Sequence, residues 1–341
     1  MSPVLAVAAL LAATAQPALA GRAVGPPVRL AAGPSAFPAA VLGGVRARTR
    51  CAVQIVPPLA SGAEPGPGVD LVELPGADAG ALIAAGRLAL IDEASVNGLG
   101  DVPGRLRDTV RDVSGGLRAI PYLWSPQMLL ARRSVYGAQP PTTLRSLFSR
   151  SGAARAALPD SALELAVAAR YLGIDNAFAL HRDELVSARE VLGPAQPLLH
   201  FYPDASTLRS LFRRGRIDLA LGNAETLGDQ RAAVVAVLPS EGTIATERVL
   251  AIVSGTRRGA CARRIAGALL APVAQAQLAA ARGLLSVRTA TCSVLSPIAC
   301  KALQLALSRT LANSAVAVHP APAGGLTGWP EWVGEWVLLR G

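Results

Sequence analysis

With 341 residues the chain can fill two ordinary hydrophobic cores, so two domains are the starting expectation. Its 33 Lys and Arg against 23 Asp and Glu leave a formal charge of +10, and Lys301 is the sole lysine. Basic charge without a recognisable module or interleaved aromatics argues against a nucleic-acid partner; scattered solvated charge is the reading adopted, with weak attraction to anionic lipid as its alternative.

Residues 1–20 are apolar and end in Ala18, Leu19 and Ala20, the small-x-small pattern that signal peptidase accepts, so a signal peptide cleaved after Ala20 is expected. No Lys or Arg precedes the apolar stretch, which leaves an uncleaved anchor or a misplaced start codon as alternatives. No Cys follows it, against a lipid anchor. Beyond residue 20 no uninterrupted apolar run reaches the roughly 20 residues that a bilayer span needs. A protein soluble in the periplasm is expected.

After a Gly- and Pro-rich lead-in, Val28 to Ala32 reads as a strand and Ala36 to Val45 as a helix. Ala52 to Pro57 and Val69 to Leu74 are the next strands, and Ala77 to Leu88 has helical spacing. This β-α-β-β-α order builds a mainly parallel sheet with covered faces. Leu117 to Leu123 and Gln127 to Ala131 read as two strands around Trp124, and Pro141 to Phe148 starts a short helix.

Helices over Ser161 to Leu172, Asp183 to Leu192 and Ala205 to Arg214, with strands over Leu198 to Tyr202, Ile217 to Leu221 and Ala233 to Leu238, imply a second β/α lobe. Val237 to Val253 is an apolar strand, a Pro-containing turn around Glu241 and Gly242, and a second apolar strand that returns the chain to the first lobe. Ala260 to Leu270 and Pro272 to Arg282 are closing helices. The expected division is lobe 1 over 21–123 and 250–314, lobe 2 over 124–249, and a tail over 315–341. In that tail Trp329, Trp332 and Trp336 recur at helical spacing and are expected to cover an apolar patch of the core.

Export places Cys51, Cys261, Cys292 and Cys300 in an oxidising compartment, where an even number favours disulfides. Of the three pairings, Cys292 with Cys300 is the preferred local bridge. No Cys-x-x-Cys and no His close to a Cys points to a metal, so no metal site is expected. His181, His200 and His319 lack an accompanying nucleophile motif, and no glycine-rich nucleotide loop occurs. No catalytic residue and no cofactor are expected, and a hydrolase on a two-lobed fold is the remote alternative.

Several segments carry a family resemblance. Ile120-Pro-Tyr-Leu-Trp-Ser125 looks like a crossover segment, and Pro141-Thr-Thr-Leu-Arg-Ser-Leu-Phe148 resembles a P-x-S/T-W-x-D-L-F helix with Leu144 and Ser146 in place of Trp and Asp. Pro239-Ser-Glu-Gly-Thr243 and Leu250-Ala-Ile252 look like a P-x-E-G turn and second crossover. Over roughly residues 28 to 312 the chain thereby resembles the extracytoplasmic solute-binding proteins of ABC importers, of the spermidine/putrescine-binding type. The resemblance implies an α/β, two-lobed periplasmic-binding-protein fold, each lobe a mainly parallel sheet with flanking helices, joined by crossover strands. It further implies a monomer that closes over a small charged solute and delivers it to a membrane permease. Trp124, Ser125 and Val249 fall at the hinge.

The same resemblance supplies the candidate ligand residues. A polyamine needs carboxylates for its ammonium groups and aromatic faces along its chain. Asp160 falls at a family carboxylate, with helix capping by Asp160 or by a Ser161-x-x-Glu164 box as the structural alternative. Near the first strand only Phe37 of an aromatic pair survives, beside Ser35; Asp78 falls at the tyrosine-bearing loop, and Gly222, beside Asn223, replaces an aromatic. Thr246 and Arg248 stand where a Trp-x-Asp is usual. An ammonium at 4 Å from a guanidinium costs roughly 4 kcal/mol at an effective dielectric near 20. The alternative for Arg248 is a salt bridge to Glu247 or Asp78. Asp160, Asp78 and Arg248 together suit a zwitterion, such as an amino acid or amino-phosphonate. Polyamine binding, or a fold that has lost transport and serves as a partner or sensor subunit, are the competing readings.

Overall fold

The computed structural model describes residues 25–60, 62–149 and 155–341; the expected signal peptide lies outside them. In chain order the first elements are β1 (Val28–Ala31), α1 (Ala39–Thr49), β2 (Val53–Val56), β3 (Leu71–Pro75), α2 (Gly76–Ala84), α3 (Gly104–Asp108), β4 (Ile120–Arg132), α4 (Arg133–Tyr136) and α5 (Arg145–Phe148). Then come β5 (Ala156–Pro159), α6 (Glu164–Tyr171), α7 (Arg182–Leu192), β6 (His200–Tyr202), α8 (Ala205–Arg213), β7 (Leu219–Asn223) and β8 (Val234–Val237). Last are β9 (Thr243–Ile252), α9 (Gly259–Leu269), α10 (Pro272–Arg282), β10 (Leu285–Ser286), α11 (Pro297–Leu305), β11 (Ser314–Val316) and α12 (Trp329–Arg340).

The chain forms two compact units. The first runs through Trp124 and resumes over Thr246–Ser308; the second comprises Ser125–Ala245 and Arg309–Gly341. In the first unit β1 pairs in parallel with β2 and β3, and β3 pairs antiparallel with the second half of β9. The apolar runs of β1 and β3 are buried, as parallel strands covered by helices require. Asp70, at the foot of β3, accepts hydrogen bonds from the Arg29 N–H (2.9 Å), Thr256 Oγ1 (2.6 Å) and Arg258 (3.1 Å), so a buried carboxylate ties β1 to the loop after β9.

In the second unit β4 pairs antiparallel with β7 and β8, β5 pairs in parallel with β6 and β7, and β11 runs parallel to the start of β9. Aromatics of the C-terminal helix close this unit. Trp332 is buried and stacks on Phe178, Trp336 meets Phe201 edge-on, and Trp329 stacks on His319. The buried Glu335 is held by Arg182 (2.8 Å) and Arg189 (3.2 Å) of α7.

Three local expectations change or gain detail. Instead of two strands around Trp124 there is one strand, β4, because pairing with β10 ends at Trp124 and pairing with β7 begins at Gln127 without a turn. Within the Val237 to Val253 segment the returning strand, β9, begins at Thr243 directly after the Glu241–Gly242 turn, since β11 pairs with its first residues ahead of the part that pairs with β3. The helix expected from Ser161 starts at Glu164, whose carboxyl turns into the core instead of closing a capping box.

Two disulfides join Cys51 to Cys261 and Cys292 to Cys300, across sequence separations of 210 and 8. Chain entropy assigns about 5 kcal/mol to the long loop and about half that to the short one. Urea unfolding of the C51A/C261A and C292A/C300A double variants should therefore show the larger loss for the first; equal losses would contradict the ordering.

Burial raises the carboxyls of Glu164 and Glu247 to about 8 from a reference of 4.5. The folded chain then holds protons that the unfolded chain releases above about pH 4.5, and stability falls as pH rises from there to about 8. Denaturation midpoints should decline across that window, and E164Q and E247Q should each flatten part of the decline. A flat wild-type profile would refute the account.

Candidate functional site

In open α/β sheets, ligands bind outside the carboxyl ends of the strands. In the first unit those ends carry Ser35 and Phe37, in the connection from β1 to α1, and Asp78 in the first turn of α2 just after β3. Arg248 pairs in register with Pro75, the last residue of β3, so it stands at the same end, with Thr246 two residues earlier on β9. Ser35 is exposed; Asp78, Thr246 and Arg248 are half-buried; Phe37 is buried.

Phe37 stacks on Tyr122 of β4, with ring centroids 5.9 Å apart. The Tyr122 hydroxyl donates to Glu73 Oε1 (3.1 Å) and accepts from Arg282 (2.5 Å), while Arg282 also pairs with Glu73 at 3.0 Å. Arg248 Nε lies 4.0 Å from the same Glu73 oxygen. One buried carboxylate thus gathers two guanidinium groups and a phenol. Burial first, and the neighbouring Glu73 charge second, push the Tyr122 hydroxyl well above its ordinary value, so it stays protonated and able to donate.

Glu247 is not a partner of Arg248. Its Oε1 accepts from Thr109 (2.5 Å), its Oε2 has no hydrogen-bond partner, and its shaft fills the space where a Cβ on Gly76 would lie 2.4 Å away. With its carboxyl raised to about 8, it is neutral at pH 7.

In the second unit Asp160 follows the last residue of β5, and Gly222 and Asn223 end β7. The Asp160 carboxylate accepts from Trp336 Nε1 (3.0 Å) and pairs with Arg340 (3.3 Å), whose guanidinium also lies 4.0 Å over the Phe201 ring. It does not cap α6; the Leu163 N–H donates to Ser161 Oγ instead (3.2 Å). Gly222 leaves room for the Tyr202 hydroxyl, which would stand 2.6 Å from an added Cβ and donates to the Leu221 carbonyl (2.6 Å).

Asn223 donates to the Ser125 carbonyl (3.2 Å). Trp124 donates from Nε1 to the Ser286 carbonyl (3.2 Å), and the chain leaves the first unit between Trp124 and Ser125. The second passage falls between Ala245 and Thr246, so Val249 lies inside the first unit, in register with Leu74.

Sequence reasoning passed over Glu73, Tyr122 and Arg282, and over the buried Gln127–Glu164 pair (2.8 Å). The available signal was Glu73 itself, an acid inside an apolar strand, which needs a partner wherever it is buried. Among the described residues no cluster of three or more His, Cys, Asp or Glu could hold a metal ion.

Several solved structures share this architecture. A spermidine/putrescine ABC transporter substrate-binding protein from Streptococcus pneumoniae is 14% identical, with a TM-score of 0.73 over 92% of this chain and 96% of that one. A lipoprotein of Treponema pallidum is 16% identical, with a TM-score of 0.71 over 92% and 98%. A periplasmic binding protein of Agrobacterium tumefaciens in complex with agropinic acid is 15% identical, with a TM-score of 0.62 over 92% and 96%. These likenesses give the two-lobed periplasmic-binding-protein fold. No curated protein matches the chain in sequence. The sequence model described as bacterial extracellular solute-binding protein matches residues 54–293, and the chain belongs to that family.

Proposed function

We propose that the chain is the periplasmic solute-binding component of an ABC importer. It binds a small charged solute as a monomer and delivers it, without chemistry, to a membrane permease. The passages at Trp124–Ser125 and Ala245–Thr246 act as the hinge. A solute that contacts both lobes only in the shut form shifts the population toward that form.

The solute proposed is a zwitterion. The observation that carries this is the clustering of Arg248 and Arg282 on Glu73 at the carboxyl end of the first unit's strands. A guanidinium there favours a carboxylate or phosphonate through paired, charge-assisted hydrogen bonds and repels an ammonium. The carboxyls that a diamine needs are spent: Asp160 is paired with Arg340 and Trp336, and Glu164 is protonated at neutral pH. Asp78 is the acid proposed to receive the solute's ammonium group, with Ser35, Phe37 and Thr246 of the first unit and Gly222 and Asn223 of the second as further proposed contacts. The bound agropinic acid of the Agrobacterium protein has its place beside the polyamines as a precedent for varied solutes on this fold.

Calorimetry with amino acids, amino-phosphonates, putrescine and spermidine tests the assignment. Saturable binding of a zwitterion is expected, and R248M should weaken it by about tenfold to a hundredfold, the worth of a charged hydrogen bond. Tight spermidine binding that survives R248M would overturn the zwitterion reading.

A further inference from the structure

A second polar hollow lies elsewhere in the second unit. It encloses about 330 Å³ beside the turn before β9, the turn before β11 and the carboxyl end of α6, away from the carboxyl ends of β5 and β7. Arg170 of α6 forms one wall. Its NH1 pairs with Asp175 (2.8 Å) and its NH2 donates to the Glu241 carbonyl (3.3 Å), but its Nε is buried without an acceptor. The Nε is closed off from solvent, so what Arg170 contributes to the hollow is its positive charge.

A further part of the lining comes from Arg309 and Thr310, which end a π-helical turn, and from Asn313 and Ser314 after it. Such turns are uncommon and recur at functional sites. The Arg309 guanidinium forms no ion pair among the described residues, and the side chains of Thr310 and Asn313 form no hydrogen bond there. The acid facing the same hollow is already occupied: Glu241 accepts from the Leu144 N–H (3.0 Å) through Oε1 and from the Ser240 hydroxyl (3.0 Å) through Oε2. Gly242, at φ +87°, brings the turn against Arg170 and the Asn313 carbonyl, which a Cβ would meet at 2.6 and 2.8 Å. That close approach holds these parts of the lining in place.

We infer that this hollow is a second ligand site, for a small oxyanion bearing a carboxylate, phosphate or sulfate group. The anion accepts from Arg309, with Thr310 and Asn313 as neutral donors and the Arg170 charge beside it. Planar guanidinium groups suit such oxygens better than a point charge does. Because the hollow is lined by α6, the turn before β11 and the approach to β9, a bound anion sits among segments that are separate in sequence.

The test is calorimetry on the full chain with sodium phosphate, sulfate, acetate and citrate, each against sodium chloride at matched ionic strength. Saturable binding of at least one oxyanion is expected, and the series tells phosphate from carboxylate recognition. R309M, at an exposed position, should weaken that binding by about tenfold or more, with N313A adding to the loss. A control variant, R214M/R216M, removes two exposed arginines elsewhere and should leave it unchanged. Binding no different from chloride, binding unaltered in R309M, or an equal loss in the control would each overturn the inference.

Discussion

The backbone of β4 and β9 has to exchange one pairing strand for another partway along its length, and this requirement fixes most of what surrounds it. β4 meets β10 at Leu123 and Trp124, then β7 from Gln127 to Ala131. β9 meets β11 from Thr243 to Ala245, then β3 from Arg248 to Ile252. Unpaired buried N–H and C=O groups are costly, so the register on either side of each passage is closely determined. Tyr122, Gln127 and Arg248 sit a few residues from the passages and inherit that precision.

The charge pattern follows from burial as much as from residue type. Glu247 and Arg248 are adjacent in sequence, yet alternation along the strand sends them to opposite faces. The acid is buried and neutral, and the base reaches toward Glu73. Counting acids and bases along the chain therefore misjudges the electrostatics. Glu164 and Asp160 make the same point: one is protonated by desolvation, the other neutralised by a helix that begins 169 residues later, at Trp329.

Regular elements were legible where the apolar spacing is unambiguous. Pro272 at the first helical position fixed the start of α10, and the tryptophan spacing announced α12. The single strand β4 was not legible, because Pro126 lies in the gap between the two expected strands, where it marks a break in the pattern. Pro126 falls between the β10 and β7 pairings, so neither of those ladders needs its missing N–H. The Ser161-x-x-Glu164 spacing matched a capping box, but the pattern cannot register that Gln127 offers the carboxyl a buried amide. At the site, the positive charge of Arg248 was readable from sequence, whereas its convergence with Tyr122 and Arg282 on Glu73 depends on strands that meet only after folding.

The C-terminal helix also sets an order of assembly. The first unit is complete once Ser308 is available, including its Cys51–Cys261 crosslink. The second unit keeps Phe178, Phe201 and Asp160 uncovered until Trp332, Trp336 and Arg340 arrive. A chain that emerges from its amino terminus must therefore wait, half-finished, with an aromatic surface exposed until Trp329–Arg340 are delivered. For that interval its solubility depends on whatever holds the nascent or translocating chain.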